Sequence, residues 1–94
     1  MADADRGELE LLGRPGCHLC EALWPEVLAV AARWQLAARL VDIEQDPALH
    51  RTYLWRIPVV LLRGRLLAEG RVEPAPLELA VARALDRGAG DDPE

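Results

Sequence analysis

Cys17 and Cys20, the two cysteines of the chain, stand where one sequence pattern gives way to another. Ahead of them, Glu8-Leu9-Glu10-Leu11-Leu12 alternates and then turns apolar, the period of a strand with one face more buried than the other. Behind them, apolar positions recur at Cys20, Leu23/Trp24, Val27, Ala31 and Trp34. Steps of three and four describe one face of a helix, here running from Cys17 to about Gln35. The residues from Gly13 to Gly16 form the turn between strand and helix. A cysteine at a helix start lies beside orphan backbone N–H groups and the positive end of the helix dipole, and both favour the thiolate. Cys20 follows about one turn later, close enough to close a disulfide. The stretch reads as a dithiol switch. Two other readings stay open: two buried cysteines acting as small hydrophobes, or half of a zinc site completed by His18 and His50.

The rest of the chain supplies the frame. Pro25 falls inside the first helix, and the apolar face keeps one phase on either side of it, so a kink is expected rather than a break. Residues Arg39 to Ile43 form a short strand. Asp46 then caps a helix with Pro47 at its first position; it runs through Leu49, Tyr53 and Leu54 and ends before Pro58. Pro58 to Leu62 and Arg65 to Ala68 flank Arg63-Gly64 as a short hairpin. Pro74 to Arg87 forms the last helix, with Leu77, Ala80/Val81, Ala84 and Leu85 inward and Gly88 as its stop. The order β-α-β-α-β-β-α makes the first two strands parallel and the closing hairpin antiparallel. An α/β fold follows, a four-stranded mixed sheet with helices on both faces. Residues 7–88 are expected to form a single domain, with 1–6 and 89–94 as flexible tails.

With 94 residues, 51% of them hydrophobic and 29% charged, the chain has the balance of a globular domain. Its net charge of −5 argues against nucleic acid as the main partner. No apolar run approaches the roughly 18 residues that span a bilayer, and the acidic N-terminus has no apolar core of a secretory signal. The expected protein is cytoplasmic and monomeric, with no membrane contact.

Several features together resemble the thioredoxin fold and, within it, the glutaredoxin-like family. Arg14-Pro15-Gly16-Cys17-His18-Leu19-Cys20 resembles the basic-x-x-Cys-x-x-Cys start of a glutaredoxin. Pro25, five residues after the second cysteine, is placed as in thioredoxins that kink their active-site helix. Asp42-Ile43-Glu44, Asp46-Pro47 and Arg56-Ile57-Pro58-Val59 resemble the second strand, the next helix and the approach to a cis-proline strand. Gly64-Arg65 and Gly70-Arg71 are similar to the hairpin and post-strand turn of small glutaredoxin-like proteins. The resemblance covers roughly residues 8–87. The chain also departs from the family pattern. Cys-Pro-Tyr-Cys is here Cys17-His18-Leu19-Cys20, Thr-Val-Pro is Arg56-Ile57-Pro58, and the Gly-Gly pair is Glu69-Gly70. Glu69 sets a negative charge where a negative ligand would lie, which weighs on glutathione and not on dithiol chemistry.

The expected activity is thiol–disulfide exchange, with Cys17 attacking a substrate disulfide and Cys20 resolving the mixed disulfide. His18, if protonated, would stabilise the thiolate; it is equally a solvated helix-start residue. The resemblance implies that Arg14 stabilises the thiolate or receives a substrate carboxylate. It also implies that Pro58 is cis, that Ile57 offers backbone groups to an extended substrate, and that Gly70 belongs to the glutathione side of the site. Trp24, Trp34 and Trp55 are expected mainly in packing, although Trp55 is near enough to Pro58 to flank a peptide groove. His50 is expected at the surface. No cofactor or metal is implied, and glutathione is the candidate co-substrate beside a protein or low-molecular-weight disulfide. The alternative to an enzyme is a thioredoxin-fold binding or redox-sensing module, and after it a metal-handling protein.

Overall fold

The computed structural model describes residues 7–90; of the expected tails 1–6 and 89–94, residues 1–6 and 91–94 lie outside the described residues, while 89–90 belong to the last helix. Strand β1 (Glu8–Gly13) leads to helix α1 (His18–Arg33), and strand β2 (Ala37–Asp42) follows. A 3-10 turn (Ile43–Gln45) joins β2 to the short helix α2 (Pro47–Tyr53). Strands β3 (Val59–Leu62) and β4 (Arg65–Glu69) come next, and then helix α3 (Pro74–Gly90). The four strands form one sheet in the order β2-β1-β3-β4. β1 and β2, joined through a crossover helix, are parallel, while the β1–β3 and β3–β4 pairs are antiparallel. This is the mixed sheet that the element order implies.

The alternation in β1 sets the two layers. Leu9 and Leu11, with Val60 and Leu62 of β3, point to one face. There they meet Leu23, Val27, Val30 and Ala31 of α1 and Leu77 and Val81 of α3. Leu12 and Val59 point to the other face, under Ile43 and the partly buried Leu49 and Tyr53. Leu9, Leu11, Val27, Val60, Leu77 and Val81 expose no surface. Burying such a side chain contributes about 1.5–3 kcal/mol, so the α1/α3 side holds most of the core. Glu8 and Glu10 share the face of Leu12 by the strand's two-residue period, and there they pair with Arg39 of β2.

Local chemistry ends each element. Cys20, Leu23, Val27, Val30 and Ala31 keep one buried face across Pro25, and α1 runs through the proline unbroken. Its C-terminus is closed by bonds from the Gln35 N–H to the Ala32 carbonyl and from the Leu36 N–H to the Ala31 carbonyl. Gln35 takes the left-handed conformation this closure needs, at φ +59°. The Asp46 carboxylate accepts the N–H groups of Ala48 and Leu49 and so caps α2, with Pro47 at its first position. Arg63 and Gly64, at φ +55° and +81°, form the two-residue turn whose twist matches a hairpin.

Three expectations need correction. β2 begins at Ala37 and ends at Asp42, and Ile43 lies fully buried in the 3-10 turn. Ala37 and Ala38 are strand because Glu8 and Leu9 pair with them, a tertiary cause that alanine's own preference does not reveal. Gly88 does not stop α3, which continues to Gly90; an interior glycine costs a helix only about 1 kcal/mol. Trp55 is not packed at all, being 91% exposed.

Candidate active site

The turn before α1 is specified residue by residue. Pro15 and Gly16 hold its two central positions, Gly16 at φ +83°, and the Cys17 N–H closes it on the Arg14 carbonyl at 3.2 Å. Proline followed by a positive-φ glycine is the chemistry of a type II turn. It delivers Cys17 in extended conformation (φ −87°, ψ 105°) as the N-cap of α1. The Cys17 Sγ accepts the Cys20 N–H at 3.2 Å, the part that a serine or aspartate oxygen plays at other helix starts. Cys17 and Cys20 are joined in a disulfide, with their Cα atoms 5.2 Å apart. Cys17 is partly exposed, while Cys20 is buried at 3%.

Strand register places the other site residues. Gly13 pairs with Asp42 across β1–β2, and Leu12 with Val59 across β1–β3. One step further, Pro58 falls beside Gly13, and because Val59 pairs with Glu69, Gly70 falls beside Pro58. The Gly70 N–H donates to the carbonyls of Pro58 at 2.8 Å and Arg56 at 3.2 Å. Asp42, Gly13, Pro58 and Gly70 thus form a row across the sheet end, and Gly13 touches Cys20 from beneath. The Ile57–Pro58 peptide bond is cis. The Ile57 N–H donates to the Tyr53 carbonyl at 3.1 Å, so Ile57 does not present its N–H outward.

Two residues that depart from the glutaredoxin pattern meet here. Arg56 donates from Nε and Nη2 to one oxygen of Glu69, at 3.1 and 2.7 Å. Its guanidinium carbon also lies 5.0 Å from the centre of the Tyr53 ring. The hydrogen bond to Glu69 raises the Arg56 pKa above its already high value. The negative charge that Glu69 brings to the site is therefore partnered.

On the opposite side of the disulfide, a cleft of about 380 Å³ opens between the start of α1 and the end of β2. Cys20 and Trp24 line one wall and Leu40 and Val41 the other, with Arg14, Glu21 and Asp42 as its charged groups. Arg14 and His18 are exposed, and His50 is partly buried on α2. Trp24 lies one helical turn beyond Cys20 on α1, while Leu40 and Asp42 are brought to the cysteines by the β1–β2 register. Among the described residues, no three His, Cys, Asp or Glu side chains are grouped as metal ligands would be, so the zinc set of Cys17, Cys20, His18 and His50 is not assembled. No helix of the described residues is long and apolar enough to cross a membrane.

Comparison with known proteins agrees with this geometry. The fold is similar to thioredoxin 1 of the thermophilic eubacterium Thermosipho africanus, with a TM-score of 0.67 and 16% identity over 87% of this chain and 98% of that one. It is also similar to a mutant thioredoxin from Halobacterium salinarum, with a TM-score of 0.67 and 22% identity over 87% of this chain and 77% of that one. Protein Ne2328 from Nitrosomonas europaea matches with a TM-score of 0.65 and 23% identity, over 78% of this chain and 88% of that one. No curated protein matches the chain. These likenesses establish a thioredoxin fold. A family model described as a glutaredoxin-like domain (DUF836) matches residues 8–81, and the chain belongs to that glutaredoxin-like family.

Proposed function

We propose that the protein is a dithiol–disulfide oxidoreductase in which Cys17 attacks and Cys20 resolves. The observation that carries this reading is the Cys17 Sγ at the N-cap of α1, accepting the Cys20 N–H at 3.2 Å. When the disulfide is reduced, that N–H and the orphan N–H groups of the first turn face the same sulfur and favour its thiolate. Cys17 is partly exposed and Cys20 buried, so an incoming disulfide meets Cys17 first.

The Cys17 thiolate attacks one sulfur of a substrate RS–SR, which forms Cys17–S–S–R and releases RS⁻. Cys20 then loses its proton to solvent and attacks the Cys17 sulfur. The internal disulfide forms, the second RS⁻ leaves, and two electrons have passed from protein to substrate. The substrate is a protein or low-molecular-weight disulfide, glutathione is the candidate donor that restores the dithiol, and no resident cofactor takes part. The protein works as a cytoplasmic monomer.

The test is the intact mass of wild type and Cys20→Ser after equilibration in a glutathione redox buffer. An internal disulfide in the wild type, with a single glutathione adduct on the variant, is the expected result. Two proteins that stay reduced and unmodified at oxidising ratios would end the proposal. A second reading, a binding or redox-sensing module on the same fold, is favoured by Trp55, 91% exposed two residues before Ile57. Partner capture that depends on oxidation state, with negligible exchange on small disulfides, would select that reading instead.

A further inference from the structure

We infer that Asp42 holds Cys20 in its protonated form, and so makes the attack of Cys20 on Cys17 the slow, pH-gated step. The inference rests on the dithiol chemistry proposed above and names what regulates it. Register brings the two residues together. By the two-residue period of β1, Gly13 shares the α1 face of the sheet with Leu9 and Leu11. A side chain on Gly13 would meet the Cβ and Sγ of Cys20 at 2.9 Å. β2 runs parallel to β1 with the same alternation. Ala38, the partner of Leu9, packs against the α1-side core, and Asp42 is the partner of Gly13. Asp42 thus stands on the Cys20 side of the sheet, one strand spacing, about 4.8 Å, from the glycine beneath that sulfur. Both residues line the cleft between α1 and β2.

Cys20 is buried, and burial by itself disfavours a thiolate. The charged groups around it are Arg14, Glu21 and Asp42 in the cleft, with His18 at the start of α1. Gly13 and Pro58, from β1 and the approach to β3, bring none. Arg14, His18 and Glu21 are exposed, and Nη1 of Arg14 is directed at the Pro15 carbonyl at 3.4 Å. Asp42 is partly buried, and its Oδ1 accepts the Glu44 N–H at 2.9 Å, which fixes the carboxylate to the end of β2; the Glu44 side chain itself is exposed. A carboxylate held there opposes negative charge on the Cys20 sulfur. Cys17 meets the opposite field, since its sulfur accepts the Cys20 N–H at the start of α1. The two sulfurs are driven apart, Cys17 towards thiolate and Cys20 towards thiol. In the mixed disulfide Cys17–S–S–R, Cys20 must give its proton to solvent before its sulfur bonds Cys17 and RS⁻ leaves. Asp42 delays that loss, and rising pH relieves it.

The experiment follows the reduced protein in excess 2-hydroxyethyl disulfide, a neutral probe, by acid quench and intact mass. An adduct on Cys17 forms first and then decays to the internal disulfide, with one 2-mercaptoethanol released at each exchange. In the wild type the adduct should accumulate near neutral pH. Its decay should quicken by about tenfold per pH unit for as long as Cys20 is mainly a thiol. Asp42→Asn keeps an oxygen for the Glu44 N–H and removes the charge, so its adduct should decay about threefold faster or more, while forming at the wild-type rate. A second readout needs no exchange. In Cys17→Ser the ultraviolet absorbance of the thiolate titrates Cys20 alone, and adding Asp42→Asn should bring the midpoint to lower pH. Glu10→Gln, the same charge change on the other face of β1, should move neither readout. A midpoint that stays in place in Asp42→Asn, or moves as much in Glu10→Gln, overturns the inference while leaving the exchange chemistry standing. So does an adduct that never accumulates, or one that decays more slowly in Asp42→Asn, since Asp42 would then be taking the Cys20 proton. A reduced wild type that does not react with the probe overturns the dithiol reading and this inference with it.

Discussion

A methyl group on the Cα of Gly13 would lie 2.9 Å from both the Cβ and the Sγ of Cys20. β1 therefore passes beneath the disulfide with no room for a side chain. Gly13 has no positive φ to explain its identity; the Cys20 side chain above it supplies the reason. This contact sets how closely α1 can approach the sheet end, and so where Cys17 stands relative to Pro58.

Gly13→Ala should accordingly destabilise the protein by about 1–3 kcal/mol, the usual cost of forcing extra volume into a packed site. Urea unfolding of the oxidised protein measures it, with the midpoint expected to fall at unchanged slope. A loss under about 0.5 kcal/mol would mean that α1 can lift off Gly13 without consequence, and that the glycine does not set its height.

Gln35 offers a prediction of opposite sign. It closes α1 from the left-handed region at φ +59°, where a side chain is strained and glycine is not. Gln35→Gly should stabilise by about 1 kcal/mol, read as a rise of several degrees in melting temperature. Its backbone bond to Ala32 needs no side chain and is kept. A fall in melting temperature would show that the Gln35 side chain makes a contact worth more than the strain.

What the sequence discloses and what it hides follow a physical division. The Glu8-Leu9-Glu10-Leu11 alternation, the Asp46-Pro47 helix start and the Arg63-Gly64 turn are legible because their causes lie within a few residues. The same holds for the Pro15-Gly16 turn that delivers Cys17 to its cap. The remainder depends on what the fold brings near. Ala37-Ala38 is strand because β1 lies alongside. The exposure of Trp55 depends on no other element covering the loop. The partnering of Arg56 by Glu69 spans thirteen residues and needs the β3–β4 hairpin to close it. The Cys17–Cys20 pair at a helix start is local and legible; the charges and the cleft that surround it are tertiary.

Asp46→Ala should remove the acceptor of the Ala48 and Leu49 N–H groups and cost about 1 kcal/mol. The damage should concentrate on α2, whose seven residues have no fully buried side chain to hold them otherwise. Hydrogen exchange is the sensitive measurement, with protection lost in α2 before the sheet. Asp46→Asn keeps an accepting oxygen and should retain most of the stability. Equal losses in both variants would mean that charge, and not the cap geometry, holds the helix start.

Cys17 caps α1 and is the proposed nucleophile, and two substitutions separate the cap from the sulfur chemistry. As the cap of α1 its sulfur accepts a backbone N–H, a part that a serine oxygen also fills. Cys17→Ser should therefore melt close to the reduced wild type, whereas Cys17→Ala should lose about 1 kcal/mol. As the nucleophile, Cys17 should be the sulfur that iodoacetamide finds first in the reduced protein, by about tenfold or more over the buried Cys20, because exposure and the helix start both favour its thiolate. Peptide mapping of briefly alkylated protein gives that ratio directly. In Cys17→Ser, Cys20 should stay slow, since its burial does not depend on its partner's sulfur. Fast alkylation of Cys20 in that variant would mean that the disulfide itself holds the start of α1 closed over Cys20, and the order of attack and resolution would have to be assigned anew.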